Sequence, residues 1–327
     1  MRYVFIINPA AGKGKAKQTV LPLISSYFNN HKGSYKIYIT QKKGDATEIA
    51  KSEASLGGEA YIFACGGEGT TFEVLNGIVG YPNVSLGIIP CGSANDFVKY
   101  FGNTDVFFNI EHQIKGTPFP VDIIKAGEYY ALNQCSVGMD AMVAQNMNRF
   151  KGIKGVSGSM AYGLAIVYTF FEKYNLSLDI KIDNGQTHRT HCLFAVCANA
   201  PYYGGGYKSA PFAIPGDGKL DYSIIETKSR IRVVSLLGLY RKGMHINLKI
   251  CKWGNCESME ISAGRTFPLN LDGEIFYSDR IKFEILKKGI KFIVPSCLAE
   301  KFDDQLKRKR IGHAAIPNPL PVCETRE

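Results

Sequence analysis

Short apolar runs alternate with helical patterns through the first third of the chain, and this alternation limits the possible folds more than any other feature. Each run is followed by a loop and then by a helical pattern, with helices expected to end near Phe28, Ser52 and Ile78. A further helix is expected to start near Asn95. Such alternation predicts a parallel sheet with helices on both faces. The predicted strands are Tyr3–Ile7, Tyr35–Ile39, Tyr61–Ala64 and Ser85–Ile89.

The pattern changes near Pro118–Pro120, where paired extended runs replace the alternation. Asn184-Gly185 lies between two of these runs and is a strong signal for a hairpin turn. One helix is expected at Ala161–Tyr174 and another at Val233–Tyr240. The remaining runs predict a mostly antiparallel second region. They are Val121–Ala126, Tyr129–Val137, Leu176–Ile182, Leu193–Ala198, Asp221–Glu226, Met259–Ser262, Ile281–Ile285 and Ile290–Ile293.

Length and composition narrow the class of protein. At about 150 residues per domain, 327 residues suggest two domains. The net charge of +10 suits contact with nucleic acid, anionic lipid or phosphorylated small molecules. Nine cysteines without a Cys-x-x-Cys pair predict reduced core residues rather than disulfides or a zinc site. The longest near-apolar run, Ala161–Phe171, falls well short of the roughly 20 residues that span a bilayer, so we expect a soluble or peripheral protein.

Three glycine-containing loops follow predicted strands and are suited to binding phosphate. They run from Asn8 to Lys15, from Gly66 to Thr71 and from Pro90 to Asp96. Glycine lets the backbone approach a phosphate closely, and helix N-termini present free N–H donors. Loops that follow parallel strands meet at one sheet edge. The sequence has neither a Walker A motif nor a complete G-x-G-x-x-G after a strand, so it does not predict an ordinary P-loop or Rossmann site.

Taken together and in order, these motifs resemble those of the diacylglycerol kinase catalytic family, which includes sphingosine and ceramide kinases and bacterial lipid kinases. The family's Gly-Gly-Asp-Gly-Thr occurs here as Gly66-Gly67-Glu68-Gly69-Thr70. Each further match is modest by itself. These matches are Asn8-Pro9 with Gly12, Glu73–Gly77, Gly92–Phe97, Val137–Ala141, Asn199–Gly206, Pro215–Asp221 and Asp272-Gly273-Glu274.

The resemblance implies an α/β N-terminal nucleotide-binding domain with a parallel sheet, joined to a C-terminal β-rich, β-sandwich lipid-binding domain. We place these domains at residues 1–118 and 119–299, followed by a basic C-terminal tail at 300–327. The resemblance also implies transfer of the γ-phosphate of ATP to a lipid hydroxyl, with Mg²⁺ as cofactor. The ATP contacts that it implies are Asn8, Pro9, Ala10, Ala11, Gly12, Thr40, Gly66, Gly67, Glu68, Gly69, Thr70, Thr71, Phe72 and Ser93.

The implied catalytic residues are four carboxylates. Glu68, Asp96 and Asp122 match an acidic cluster that organises magnesium through water, and Glu274 matches the general base. A second, structural magnesium site corresponds to Ile214, Asp217 and Lys219. One residue departs from the family, since relatives mostly have Asp where this chain has Glu68. An ångström-scale misplacement can cost a rate factor of roughly 100, which keeps a non-catalytic sensor open as an alternative.

Simpler interpretations exist for several of these residues. Asp217 alone reads as part of the Gly216-Asp217-Gly218 turn, and Asp272-Gly273 reads as a hairpin turn with Glu274 on a surface strand. Asp122 interrupts an apolar run, and a carboxylate buried there needs a partner.

The sequence therefore predicts an ATP-dependent lipid kinase in phospholipid metabolism that converts diacylglycerol to phosphatidic acid. The open alternatives are a kinase for a sphingoid base or long-chain alcohol, an NAD kinase, or a nucleotide or lipid sensor. We expect a cytoplasmic protein, peripheral to the membrane that holds its lipid substrate. No nucleic-acid partner is expected, a homodimer is possible, and the basic run Lys307–Arg310 is either a solvated face or a contact with anionic lipid.

Overall fold

The computed structural model describes residues 1–92, 94–150, 153, 156, 158–171, 177–226, 236, 238–300 and 302–303. Ser93, part of the helix predicted over Val233–Tyr240, and all but a few residues of the predicted tail lie outside the described residues.

The first part of the chain alternates strands and helices, as the sequence predicts. The strands are β1 (Arg2–Ile7), β2 (Ser34–Ile39), β3 (Ala60–Gly66) and β4 (Val84–Pro90). The helices are α1 (Ala11–Gly14), α2 (Ala16–Asn30), α3 (Asp45–Ser55), α4 (Glu68–Ile78) and α5 (Ile110–Ile114), with 3-10 turns at Asp96–Phe101 and Thr104–Phe108. These four strands pair in parallel, in the order β2-β1-β3-β4.

Helices cover both faces of these strands because successive strand residues point to opposite sides. Val4 and Ile6 of β1 join one core cluster with α3 and α4. Phe5 and Ile7 join the opposite cluster with α2 and α5. Burial on both faces explains why β1, β3 and β4 read as continuous apolar runs, whereas the edge strand β2 is partly exposed.

Among the described residues, the second part is mostly antiparallel and includes helices α6 (Met139–Phe150) and α7 (Gly158–Phe171), with further helical residues at 238–242. Asn184-Gly185 forms the predicted turn between β8 and β9, and Asp272-Gly273 joins β14 to β15. The strands are β5 (Thr117–Ala126), β6 (Tyr129–Ala131), β7 (Gln134–Gly138), β8 (Ser177–Ile182), β9 (Thr187–Ala198), β10 (Tyr202–Tyr203), β11 (Tyr207–Lys208), β12 (Leu220–Glu226), β13 (Cys251–Cys256), β14 (Ser258–Leu271) and β15 (Glu274–Val294).

Strand β15 joins the two parts into one mixed sheet, which corrects the prediction of a self-contained parallel sheet. The two runs predicted at Ile281–Ile285 and Ile290–Ile293 are a single strand. It pairs antiparallel with β14 and β5, and near its end Lys291 and Phe292 pair in parallel with Ser85 and Leu86 of β4. The resulting sheet has 13 strands, in the order β13-β12-β9-β7-β14-β15-β4-β3-β1-β2, with β5, β6 and β8 attached to this path.

Two further expectations differ from the structure near the sheet edge. The third glycine loop leads into the 3-10 turn Asp96–Phe101 instead of an α-helix. Helix α4 begins at Glu68, so Glu68–Thr71, expected as loop, form its first turn. Gly67 in extended backbone at the N-cap allows the helix to start directly after β3.

Seven of the eight cysteines in the described residues are buried and free, and Cys297 is exposed and free. This agrees with the prediction of reduced core thiols. Of the helices that the structure describes, none has the length and apolar character needed to cross a membrane.

Candidate active site

The loops after β1, β3 and β4 meet at one sheet edge, as predicted. The Asn8 amide donates to Thr70 Oγ1 at 3.1 Å, which ties the first loop to the start of α4. The backbone N–H groups of Cys91 and Gly92 donate to the Gly66 carbonyl at 2.9 and 3.1 Å, which ties the second loop to the third. The three loops therefore form one continuous backbone surface.

Close packing of backbone requires glycine at the centre of this surface. A Cβ at Gly92 would lie 2.6 Å from Gly67 Cα, which is closer than real Cβ atoms come. Asn95 adopts a left-handed conformation with φ 46°, and its amide donates to the Gly66 carbonyl at 3.1 Å. Gly12 also has a positive φ, of 60°. The surface thus exposes backbone where a phosphate would need to approach.

The remaining predicted ATP contacts differ in exposure. Ala10 and Gly12 are exposed, whereas Asn8, Pro9, Ala11, Gly67 and Gly69 are partly buried. Thr40 is buried, and its N–H donates to the Ile7 carbonyl at 3.0 Å, which places it beside the end of β1. Thr70 and Thr71 are buried in α4. Phe72 packs against the rings of Tyr129 and Phe276, so it joins the second part of the chain to α4.

Glu68 and Asp96 lie together at this edge. Glu68 Oε1 accepts a hydrogen bond of 3.1 Å from the Asp96 backbone N–H. The Asp96 carboxylate is fully buried; it accepts from the Gly205 N–H at 2.8 Å and forms an ion pair with Lys99. Burial, followed by the negative charges of Asp96 and Asp272, raises the pKa of Glu68 to about 8.

Asp122 is buried on β5, and its carboxylate holds the turn at Gly218 and the irregular part of β15 at Lys288. It accepts hydrogen bonds of 2.7 Å from the N–H groups of Gly218 and Lys288. These contacts supply the partners that a buried carboxylate needs. The hydrogen bonds that the structure gives the Asp122 carboxylate lead to these two segments rather than to Glu68 or Asp96, so its catalytic role stays a prediction.

Asp272, predicted as part of a family motif and of a hairpin turn but not as a site residue, is a central residue of the site. It is buried with φ 49°, and its carboxylate accepts from the N–H groups of Leu132, Asn133 and Gln134 at 2.6, 3.0 and 2.8 Å. Burial raises its pKa to about 6. These bonds fix the hairpin that carries Glu274. Because they join segments about 140 residues apart, local pattern could not predict them.

Glu274 lies directly over the first turn of α4. A Cβ at Gly69 would lie 2.7 Å from Glu274 Oε1, and Glu274 Oε2 accepts from Lys43 Nζ at 2.5 Å. The Glu274 side chain is 24% exposed, so it is open to solvent on one side. The structure therefore brings the predicted base to the predicted phosphate loop across 205 residues of sequence.

A pocket with about 380 Å³ of empty space, part of it open to solvent, lies beside these carboxylates. Its lining combines acidic and amide side chains with apolar ones. The lining residues are Glu68, Thr71, Ile88, Asn95, Asp96, Phe97, Val98, Leu132, Asn133, Tyr203 and Asp272. The surface that the pocket exposes is mostly apolar, so it suits an apolar group of a ligand.

The three residues of the predicted structural metal site occupy one turn. The Asp217 N–H donates to the Ile214 carbonyl at 3.4 Å, and Asp217 Oδ1 accepts from the Lys219 N–H at 2.9 Å. The turn interpretation of Asp217 is thus confirmed, while the oxygen donors present also suit a hard cation. Within the described part of the chain, no three His, Cys, Asp or Glu side chains are grouped closely enough to hold a metal directly.

Known proteins resemble both parts of the chain. The family model "Diacylglycerol kinase catalytic domain" matches residues 2–126, and "YegS C-terminal NAD kinase beta sandwich-like domain" matches residues 133–294. The chain is 30% identical to the "Probable lipid kinase YegS-like" of Shewanella frigidimarina, over 70% of this chain and 75% of that protein. It is 26% identical to a Bacillus subtilis diacylglycerol kinase, over 91% of this chain and 98% of the relative.

Solved structures share the fold. A crystal structure of a diacylglycerol kinase from Bacillus anthracis aligns with a TM-score of 0.65 at 20% identity, covering 91% of this chain and 98% of that chain. Another crystal structure from the same strain aligns with a TM-score of 0.73 at 23% identity, covering 91% of this chain and 96% of that chain.

Proposed function

We propose that this chain, which belongs to the diacylglycerol kinase catalytic-domain family, transfers the γ-phosphate of ATP to a lipid hydroxyl. The acceptor that we propose is diacylglycerol, which would give phosphatidic acid. The observation that carries the proposal is the position of Glu274 over Gly69, because it joins a candidate base to a phosphate-type loop at one site.

Each group has a role in this reaction. Backbone N–H groups at the start of α4 bind the phosphates, and the Asn8–Gly12 loop, whose Asn8 amide donates to Thr70 Oγ1, borders them. Glu274 accepts the proton of the lipid hydroxyl as its oxygen attacks the γ-phosphorus. Lys43 contacts Glu274 in this structure, and we propose that it pairs with the transferred phosphate during the reaction.

The acidic residues suit magnesium held through water. Glu68 and Asp96 present oxygen atoms beside the phosphate loop without forming a direct ligand cluster, which fits a cation that keeps several of its waters. Bound there, Mg²⁺ would neutralise charge on the phosphates. We also propose a structural Mg²⁺ at Ile214, Asp217 and Lys219, where oxygen atoms of one turn are available.

A nucleotide or lipid sensor is the second candidate. It is favoured by the surroundings of Glu68, whose carboxylate binds the Asp96 N–H and whose pKa is raised to about 8. The hydrogen bond from the Asp96 N–H leaves one oxygen of the Glu68 carboxylate less available to a cation. A sensor would bind ATP and lipid at the same site with little phosphate transfer.

The acceptor and the cellular location belong to the same proposal. A sphingoid base or a long-chain alcohol carries the same reacting hydroxyl as diacylglycerol, and an NAD kinase would use the same phosphate loop. We propose a cytoplasmic protein that contacts the membrane peripherally, since a diacyl acceptor resides in a bilayer. A homodimer is compatible with this arrangement.

The deciding experiment incubates purified protein with γ-labelled ATP and a lipid extract in mixed micelles, with and without Mg²⁺. We expect Mg²⁺-dependent label in a lipid product, and the identity of the product names the acceptor. ATP binding without any labelled lipid would refute the kinase and favour the sensor. Label in NADP⁺ when NAD⁺ is supplied would assign the chain to the other kinase class.

A further inference from the structure

Helix α7 has an unusual surface for an exposed helix. Its 14 residues, Gly158–Phe171, contain no charged residue. A helix on the surface of a globular protein ordinarily directs polar and charged side chains outward. Here Met160, Leu164 and Tyr168 follow each other at four-residue spacing, so they lie on one side of the helix. Their side chains are 55%, 40% and 39% exposed. We call these three residues the α7 stripe.

The adjacent face of α7 packs on the rest of the chain. Ala161, Ala165 and Thr169, each one residue after a stripe residue, are buried. Thr169 Oγ1 accepts from the Asn146 amide of α6 at 2.9 Å. Ala161, Ala165 and Thr169 therefore hold the helix in place while the α7 stripe faces outward. Exposed apolar surface of this kind marks a contact site.

The stripe has a cationic border. Arg149, in the last turn of α6, donates to the Tyr168 hydroxyl at 2.7 Å, and its guanidinium lies 5.0 Å from the centre of the Tyr168 ring. Aromatic and arginine side chains favour the interface between water and lipid because each has an apolar body and a polar end. An apolar stripe bordered by a cation is complementary to a bilayer that contains anionic lipid.

The length of α7 and its place in the chain define the mode of contact. Fourteen helical residues extend about 21 Å, which is less than the roughly 30 Å of a bilayer core, so the helix would lie along the surface. Helix α6 starts directly after β7, whose first residue, Gln134, bonds Asp272. The hairpin of α6 and α7 thus extends from the edge of the pocket to the stripe.

We propose that the α7 stripe, with Arg149 at its border, docks this chain on an anionic lipid bilayer. This inference rests on the proposed function, because docking would bring a bilayer lipid to the pocket. It specifies which surface contacts the membrane and how deeply that surface enters it. The apolar side chains enter the headgroup boundary while Arg149 remains at the level of the lipid phosphates.

The test measures co-sedimentation of the full chain with vesicles of phosphatidylcholine and phosphatidylglycerol. L164E should weaken binding at least about tenfold, because a charge replaces an inserted apolar side chain. M160E should act in the same direction. The matched control is L23E on α2, which makes the same substitution at a leucine with 38% exposure; its binding should stay within about twofold of wild type. Wild type should bind vesicles without phosphatidylglycerol several-fold more weakly than the mixed vesicles. Each basic residue at the membrane surface contributes about fivefold to the affinity for anionic lipid.

L164W gives a test in the opposite direction and does not depend on a disruptive change. Tryptophan favours the lipid interface, so L164W should bind the mixed vesicles more tightly than wild type. Circular dichroism confirms that each variant is folded before it is compared. Unchanged vesicle binding in folded L164E and M160E, or equal weakening by L23E, would overturn the proposal. The proposal would also be overturned if L164E changed the sedimentation mass from dimer to monomer and left vesicle binding unchanged, because the stripe would then be a subunit interface.

Kinase assays separate failure of this inference from failure of the proposed function. On a short-chain diacylglycerol dissolved below its micelle concentration, L164E should retain wild-type turnover, whereas turnover on vesicle substrate should fall in parallel with binding. If wild type phosphorylates neither substrate, the proposed function fails, and vesicle binding still decides the docking surface. Equal activity of L164E and wild type on vesicles would refute the docking role while the kinase stands.

Discussion

Gly69→Ala is the substitution that most directly tests the proposed site. Gly69 is the second residue of α4, and a Cβ there would lie 2.7 Å from Glu274 Oε1. An ordinary contact begins at 3.4 Å, so the carboxylate must retreat by about 0.7 Å. The nearest atom is the end of a flexible side chain, so the base moves while the helix stays in place.

The expected effect is a large loss of turnover at nearly constant stability. A displacement of this size at a reacting group costs a rate factor of about 100. Replacing glycine with alanine in a helix stabilises the folded state by at most about 1 kcal/mol. The ion pair between Lys43 and Glu274 contributes a similar or smaller amount to stability, because its lysine is exposed. We expect kcat to fall about a hundredfold while the free energy of unfolding changes by no more than about 1 kcal/mol.

Gly77→Ala in the same helix is the matched control. A Cβ at Gly77 would lie 2.5 Å from the Thr47 carbonyl oxygen, which is backbone and cannot retreat. This variant should lose about 1–3 kcal/mol of stability and keep its kcat while folded. Steady-state kinetics and urea unfolding of both variants decide the matter. Wild-type kcat in folded Gly69→Ala would refute the placement of Glu274 as the base.

Four further outcomes are expected. Glu274→Gln should abolish turnover and leave ATP affinity nearly unchanged in calorimetry; lost ATP binding in a folded variant would contradict a base. Glu68→Asp should change kcat only modestly in an active kinase, whereas a large gain would identify an impaired site. Asp217→Ala should lower the Tm and remove any Mg²⁺-dependent rise in Tm, and an equal rise in wild type and variant would exclude that ion site. Burial of His245 lowers its pKa to about 4, so the folded state disfavours its protonation and the free energy of unfolding falls as pH drops from about 6.5 towards 4. Urea unfolding should show this fall, of at most about 1.4 kcal/mol per pH unit, and the fall should be weaker in His245→Gln. Parallel pH curves for wild type and His245→Gln would refute the assignment.

Much of the first part of the fold followed from local pattern. Strands β1, β3 and β4 were predicted because both of their faces are buried, and the convergence of their loops was predicted because loops after parallel strands meet at one edge. Local pattern could not show that β15 is one continuous strand. Its pairing with β4 is a long-range contact, and the break in its apolar run at Lys287–Gly289 coincides with the register shift against β5.

The candidate site divides in the same way. The sequence by itself determined the glycine loops, the family and the identity of the carboxylates, because residue type and order carry this information. Only the tertiary structure decided which carboxylates meet. It placed Glu274 over Gly69, gave Asp272 three backbone donors, and bound the Asp122 carboxylate to Gly218 and to Lys288 of β15. It also showed that the α7 stripe faces solvent. Each of these depends on contacts between segments far apart in the chain, where the hydrogen bonds available to a buried carboxylate are set by the packing around it.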